Sequence, residues 1–284
     1  MVTILQKKVL TPQTKLMVVA APRVAKKAQP GQFVVLRIDQ KGERIPLTIA
    51  DFDREQGTVT IVFQEVGKST FMLGELKEGD QIFDFVGPLG KPIEEKNFGQ
   101  VVCVGGGVGI APIYPKAQAL KEQGNRVISI IGARSANLLF WEEEMKTVSD
   151  ELWVATDDGS YGERGFVTQI LERILEKNSI DLVVAVGPVV MMKMVSLLTK
   201  KYQTPTLVSL NPIMVDGTGM CGCCRVTVGG ECKFTCVDGP VFDGHQVDFD
   251  ELQARQRIYL EEEKRALEEW ELKKAEEESH YATR

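Results

Sequence analysis

The sequence predicts a protein of class β followed by α/β: an antiparallel barrel, a parallel sheet covered by helices, a small metal-binding module and a helical tail. Three observations predict it. Between residues 15 and 85, short apolar runs alternate with turn signals such as Pro30-Gly31, Lys41-Gly42 and Gln56-Gly57, the texture of a small barrel. After Pro92, wholly apolar runs alternate with amphipathic stretches, and strands buried on both faces belong to a parallel sheet between helices. Near the end, five of the six cysteines fall within sixteen residues.

Taken in order, strands are expected over 16–20, 33–38, 46–49, 58–64 and 81–85, giving a barrel of five or six strands, with the first helical stretch beginning at Ser69. Parallel strands follow over 101–104, 126–131, 152–156, 182–186 and 206–210, with helices over 110–123, 141–148, 168–177 and 189–202 between them. Beyond His245, Glu, Lys, Arg, Leu and Ala dominate. There Leu260, Leu267 and Trp270 recur at helical spacing, a solvated helix with one narrow apolar stripe. The expected division is a barrel over 1–97, a nucleotide domain over 98–210, a metal module over 211–246 and a tail over 247–284.

The 34 basic and 40 acidic residues give a net charge of −6, which offers no electrostatic footprint for nucleic acid. Cysteines clustered in one segment speak against a secreted disulfide framework and for metal binding in a reducing compartment. With no signal-like apolar core at the N-terminus and no membrane-length apolar run, the expectation is a soluble cytoplasmic protein.

The first parallel strand runs into Gly105-Gly106-Gly107-Val108-Gly109-Ile110-Ala111-Pro112. Glycines here let a phosphate approach the backbone, and the following helix presents free amides to it. The pattern is not the strict G-x-G-x-x-G of a first Rossmann unit, and close helix–strand packing also explains such clusters. Two further segments stand at strand ends, where open α/β sheets bind ligands: Thr156-Asp157-Asp158-Gly159-Ser160-Tyr161-Gly162 and Val186-Gly187-Pro188-Val189-Val190-Met191. Asp157 and Asp158 can accept from ribose hydroxyls and repel a 2′-phosphate, which favours NAD over NADP; they can equally cap the turn. In the barrel, Gly31-Gln32-Phe33-Val34, Arg44-Ile45-Pro46-Leu47-Thr48 and Gly67-Lys68-Ser69-Thr70 are the informative pieces, the last at a strand-to-helix junction suited to a pyrophosphate.

Asp216, Cys221, Cys224 and Cys236 stand in the pattern D-x4-C-x2-C-x11-C, the spacing of a 2Fe-2S cluster with aspartate in place of the first cysteine. The competing reading is a structural zinc site made by Cys221, Cys224, Cys232 and Cys236.

The order of barrel, glycine turn, Thr-Asp-Asp-Gly-Ser-Tyr-Gly, Gly-Pro-x-x-Met and cysteine module resembles the ferredoxin-NADP reductase superfamily. Within it, residues 1–250 are similar to the electron-transfer subunits related to that of dihydroorotate dehydrogenase. Aspartate at 216 directs the likeness toward the small subunits of NADH-dependent reduced ferredoxin:NADP oxidoreductases, electron-bifurcating transhydrogenases also described as sulfide dehydrogenases.

The resemblance implies FAD across the barrel, with Thr48 near flavin N5, Pro46 and Leu47 along the ring, and Gly67, Ser69 and Thr70 at the pyrophosphate. Ile45 occupies the family's arginine position, so Arg44 is the remaining candidate for the phosphates. NAD(H) would lie over Gly106, Gly107, Val108, Gly109 and Ala111, with Asp157, Asp158, Gly187, Pro188 and Met191. Asp216, Cys221, Cys224 and Cys236 would hold the 2Fe-2S cluster.

Hydride exchange between nicotinamide and flavin needs alignment more than an acid or base, so no catalytic side chain is expected; the chain has two histidines, His245 and His280. The implied activity is electron transfer between cluster, FAD and NAD(H). Its implied partner is a larger subunit carrying flavin and iron–sulfur clusters, in a heterodimer or higher assembly. A reading of a different class is a regulatory or assembly protein with a zinc knuckle and a partner-binding tail.

Overall fold

The computed structural model describes residues 1–282. Its first sheet has seven antiparallel strands: β1 (Val2–Thr11), β2 (Thr14–Ala20), β3 (Phe33–Arg37), β4 (Ile45–Asp53), β5 (Thr58–Gln64), β6 (Gln81–Ile82) and β7 (Asp84–Leu89), in the order β6-β1-β2-β5-β4-β3-β7. The end strands β6 and β7 are separated only by Phe83, whose N–H donates to the Ile38 carbonyl at 3.2 Å. The sheet therefore nearly closes on itself, around Met17, Val19, Val34, Leu36, Ile49, Ile61 and Phe63.

Strand β1 was not legible in the sequence. It carries Gln6, Lys7 and Lys8 in succession, and its register with β2 shifts between Ile4 and Gln6 and again between Val9 and Thr11, so no clean period-2 pattern survives. The run expected as one strand over 81–85 divides at Phe83, because β6 pairs with β1 and β7 with β3. Two helices belong to this part, α1 (Pro22–Ala25) and α2 (Lys68–Glu75).

The second sheet comprises β8 (Gln100–Gly106), β9 (Arg126–Ala133), β10 (Glu151–Thr156), β11 (Glu163–Arg164), β12 (Leu182–Val186) and β13 (Thr206–Ser209), all parallel, with helices α3 (Ile110–Glu122), α4 (Glu142–Thr147), α5 (Val167–Lys177) and α6 (Val189–Lys201). Apart from the short β11, which the sequence did not predict, these follow the expected spans to within about two residues. The order runs β11-β10-β9-β8-β12-β13, so the winding reverses between β8 and β12.

The cysteine segment forms a hairpin, β14 (Arg225–Val228) and β15 (Glu231–Phe234), then α7 (Thr235–Asp238). Gly229 and Gly230 both have positive φ, +61° and +79°, the turn a two-residue hairpin favours. The chain then returns as β16 (Val241–Asp243), which pairs antiparallel with β13 and completes the nucleotide sheet. Helix α8 (Phe249–Arg255) buries Phe249 and Leu252 beside Val226, and its Asp248 cap accepts from the Glu251 amide at 2.9 Å. Helix α9 (Leu260–Ala282) is the predicted tail helix, and it folds back on α2: Trp270 stacks on Phe71 with centroids 6.1 Å apart, and Lys274 pairs with Glu75.

Barrel and nucleotide sheet share one core, in which Leu16, Ala50 and Val62 pack with Val101, Ile110, Ile113 and Leu182. None of the described helices is long and apolar enough to cross a membrane.

Candidate functional site

The reversal between β8 and β12 opens a crevice at the carboxyl ends of the strands. A Cβ placed on Gly106 would meet the Met191 sulfur and stand 3.4 Å from Pro188 Cδ; one on Gly187 would stand 2.7 Å from Met191 Cε; one on Gly109 would strike the Val186 carbonyl. Gly106, Gly109, Gly187, Pro188 and Met191 thus converge. Gly107 has φ +55° and open space where a side chain would stand. Val108 packs toward the core shared with the barrel. Ala111 is buried in that same core, so its methyl group faces away from the crevice and only its backbone remains for a ligand.

The two aspartates separate. Asp158 accepts from the Ser160 amide at 2.9 Å and the Ser160 hydroxyl at 2.6 Å, and these bonds hold its carboxyl below its ordinary range. It caps its own turn, the second of the two roles the sequence left open for it. Asp157 is exposed and its carboxylate has no partner among the described residues.

Along β4, Ile45, Pro46, Leu47 and Thr48 are half-buried, whereas Arg44 is exposed and forms no ion pair among the described residues. Gly67 caps α2 in extended conformation, with open space around it. Thr70 accepts from the Val66 and Gly67 amides at 2.9 and 3.0 Å and donates to the Gly67 carbonyl at 2.9 Å, so its hydroxyl shapes the junction. Ser69 donates to Glu43 at 2.5 Å. The first amides of α2 have no intrahelical acceptor, and such amides suit a phosphate.

The four metal-ligand candidates fall into two pairs. Cys224 and Cys236 are buried with their sulfurs 3.2 Å apart. Burial, and next the neighbouring Cys224, push the Cys236 thiol up to about 12, opposed by the Gly219 amide. Asp216 and Cys221 form the second pair, joined through the Cys221 amide, which donates to the Asp216 carboxylate at 2.9 Å; the Thr218 amide donates to its other oxygen at 2.8 Å. The loop between them turns at Gly217 and Gly219, with φ +74° and +85°.

Among the described residues no three His, Cys, Asp or Glu side chains converge on a single metal point, and Cys232 is exposed on the hairpin. Two separated donor pairs suit a cluster of two irons better than one tetrahedral ion. The Thr235 hydroxyl, buried beside Cys236, has no partner among the described residues.

Strand alternation ties this pocket to the barrel. Val34 and Leu36 point into the barrel core, while Phe33 and Val35 pack with Met214, Cys224 and Cys236. Phe33 lies opposite Thr48 in the β3–β4 register. The sequence flagged Phe33 only as part of a loop-to-strand segment, and its role here depends on the module docking.

A flavin-type barrel, a nucleotide crevice and a cysteine module in one packed unit define an oxidoreductase that handles electrons. Comparison with known proteins agrees. Residues 103–197 match the oxidoreductase NAD-binding domain, and residues 211–248 match the iron-sulfur cluster binding domain of dihydroorotate dehydrogenase B. A Thermotoga maritima protein described as a homolog of the dihydroorotate dehydrogenase B (NAD(+)) electron transfer subunit is 54% identical over 244 residues, covering 86% of each chain. The Bacillus caldolyticus electron transfer subunit is 34% identical over 255 residues, covering 86% of this chain and 96% of its own. The chain belongs to the family of dihydroorotate dehydrogenase B electron-transfer subunits and their homologs. Among solved structures, one described as giving insight into flavin-based electron bifurcation through the NADH-dependent reduced ferredoxin-NADP oxidoreductase matches with TM-score 0.91 and 48% identity, covering 95% of this chain and 98% of that one. The iron–sulfur match answers the zinc alternative.

Proposed function

We propose that this chain is the NAD(H)-linked subunit of an electron-bifurcating NADH-dependent ferredoxin:NADP oxidoreductase, with FAD, NAD(H) and a 2Fe-2S cluster as its cofactors. The observation that carries the reading is the docking of the cysteine pocket on β3: Cys224 and Cys236 pack against Phe33, whose register partner is Thr48. On this reading the cluster and flavin would be adjacent across one strand pair. When bound, FAD exchanges two electrons with a nicotinamide and single electrons with an iron–sulfur cluster.

The chain's own residues then bind, orient and exclude water. Gly67, Ser69 and the first amides of α2 would hold the FAD pyrophosphate, with the exposed Arg44 following directly on the Glu43 that accepts from Ser69. Pro46, Leu47 and Thr48 would line the flavin, Thr48 offering a hydroxyl that has no partner among the described residues. Gly106, Gly107, Gly109, Gly187, Pro188 and Met191 would seat the dinucleotide, with Asp157 at the ribose. Asp216, Cys221, Cys224 and Cys236 would hold the cluster. No side chain is required to move a proton.

The high identity to the bifurcating enzyme structure supports a larger flavin and iron–sulfur subunit as partner. An electron-transfer subunit of a dihydroorotate dehydrogenase is the second reading, favoured by the names of the relatives. Replacing Asp216 by alanine tests the core of the proposal. The variant should keep FAD, seen by its absorption, and lose or change the two-iron electron paramagnetic resonance signal. An unaltered signal would remove Asp216 from the ligand set.

A further inference from the structure

Besides Thr235, one buried polar atom lacks a partner among the described residues: Nε of Arg255. Arg255 ends α8 and reaches back under the cysteine loop, where its Nη2 donates to the Cys223 carbonyl at 3.1 Å. No carboxylate within ion-pair reach neutralises it among the described residues. Glu251, one turn earlier, accepts from the Thr227 amide at 3.0 Å; Asp238 accepts from the Phe234 amide at 2.7 Å; Asp216 is held by its own loop amides. A partly buried cation with an idle donor calls for an anion nearby.

We propose that the charge of Arg255 sets the reduction potential of the cluster held by Asp216, Cys221, Cys224 and Cys236, while its bond to the Cys223 carbonyl positions the ligand loop. The inference rests on the cluster reading above. Three thiolates and a carboxylate around two ferric ions and two sulfides leave a net negative charge. Reduction adds one electron and no proton, so that charge grows by one. A fixed positive charge close by stabilises the reduced form more than the oxidised form and raises the potential. Arginine keeps its charge at every working pH, so the effect is permanent. It would counter the aspartate ligand, a harder donor than thiolate that favours ferric iron.

The test is an anaerobic redox titration of the cofactor-loaded protein, followed by the two-iron electron paramagnetic resonance signal, for wild type, Arg255→Gln and Arg255→Lys. Glutamine should lower the midpoint potential at unchanged iron content, and lysine should leave it near wild type. The proposal is overturned if the glutamine variant titrates with wild type, or if lysine shifts the midpoint as far as glutamine does, since contact geometry rather than charge would then matter. Should the glutamine variant lose its iron, the lysine variant decides alone: a wild-type midpoint supports the charge role and a lowered one rejects it. A wild-type protein without any two-iron signal would overturn the cluster reading and this inference together, an outcome separate from a normal signal indifferent to Arg255.

Discussion

Gly107 and Gly109 stand two residues apart in the turn after β8 and carry different constraints. Gly109 has an ordinary helical backbone, but a Cβ there would strike the Val186 carbonyl and come within 2.8 Å of Gly187 Cα. Both obstacles are backbone and cannot swing aside. Gly109→Ala should therefore destabilise the protein by about 1–3 kcal/mol, read as a lower midpoint in thermal or denaturant unfolding. Gly107 faces open space at φ +55°. Gly107→Ala should cost only roughly 1–2 kcal/mol of backbone strain, yet place a methyl group where the dinucleotide is proposed to lie. It should weaken NADH binding, measured by titration of flavin fluorescence, more than Gly109→Ala does per unit of stability lost.

At the scale of elements, α9 is mostly charged and has little apolar surface of its own to bury. Its anchor is the Trp270–Phe71 stack, extended by Lys274, which lies 5.4 Å from the Trp270 ring centroid. An aromatic pair of this kind contributes ~1 kcal/mol beyond its buried area, enough to decide whether a solvated helix stays docked. The first turn adds a cost: burial, and then the neighbouring Glu43, raise the Glu263 carboxyl above its ordinary value. Trp270→Ala should release α9 from α2, seen as faster amide hydrogen exchange across α9 with the strands of the barrel unchanged. The narrow apolar stripe was legible in the sequence. Its docking surface was not, because Phe71 lies nearly two hundred residues away along the chain.

For the whole molecule, the shared core between barrel and nucleotide sheet contains a charge. Lys116 on α3 is fully buried; its Nζ donates to the Pro112 carbonyl at 3.0 Å, and its Cε approaches Gly31 of the barrel. Burial lowers its amine from 10.5 to about 8. Burial likewise raises the Cys103 thiol from 9.0 to about 12. Between pH 8 and 9 the unfolded chain holds more protons at Lys116 than the folded one, while Cys103 is still mainly protonated in both. Stability should rise with pH in that window by up to about 1 kcal/mol per unit from this lysine. Lys116→Met should abolish the rise and stabilise the protein at pH 7 by on the order of 1–3 kcal/mol, as chemical denaturation at several pH values would show.

Much of this architecture can be read from one chain, and the reasons are local. β5 and β12 emerge at their full spans because the first alternates and the second is wholly apolar, and the glycine turns announce themselves at strand ends. The candidate cluster site is legible because Asp216, Cys221 and Cys224 must share one short loop, whatever the rest of the fold does. Other features were settled only when distant segments met. The antiparallel β16 closes the nucleotide sheet from beyond the cysteines. Asp158 turns out to cap its turn, Lys116 to be a core residue on an otherwise ordinary amphipathic helix, and Arg255 to sit behind the cysteine loop from more than thirty residues downstream. Spacing and periodicity by themselves determined the fold class, the glycine turns at the strand ends and the cysteine module. The tertiary structure decided that Phe33 turns from the barrel core toward the cysteines, beside the strand pair on which the flavin is proposed to lie. That contact depends on three-dimensional docking, which no run of neighbouring residues encodes.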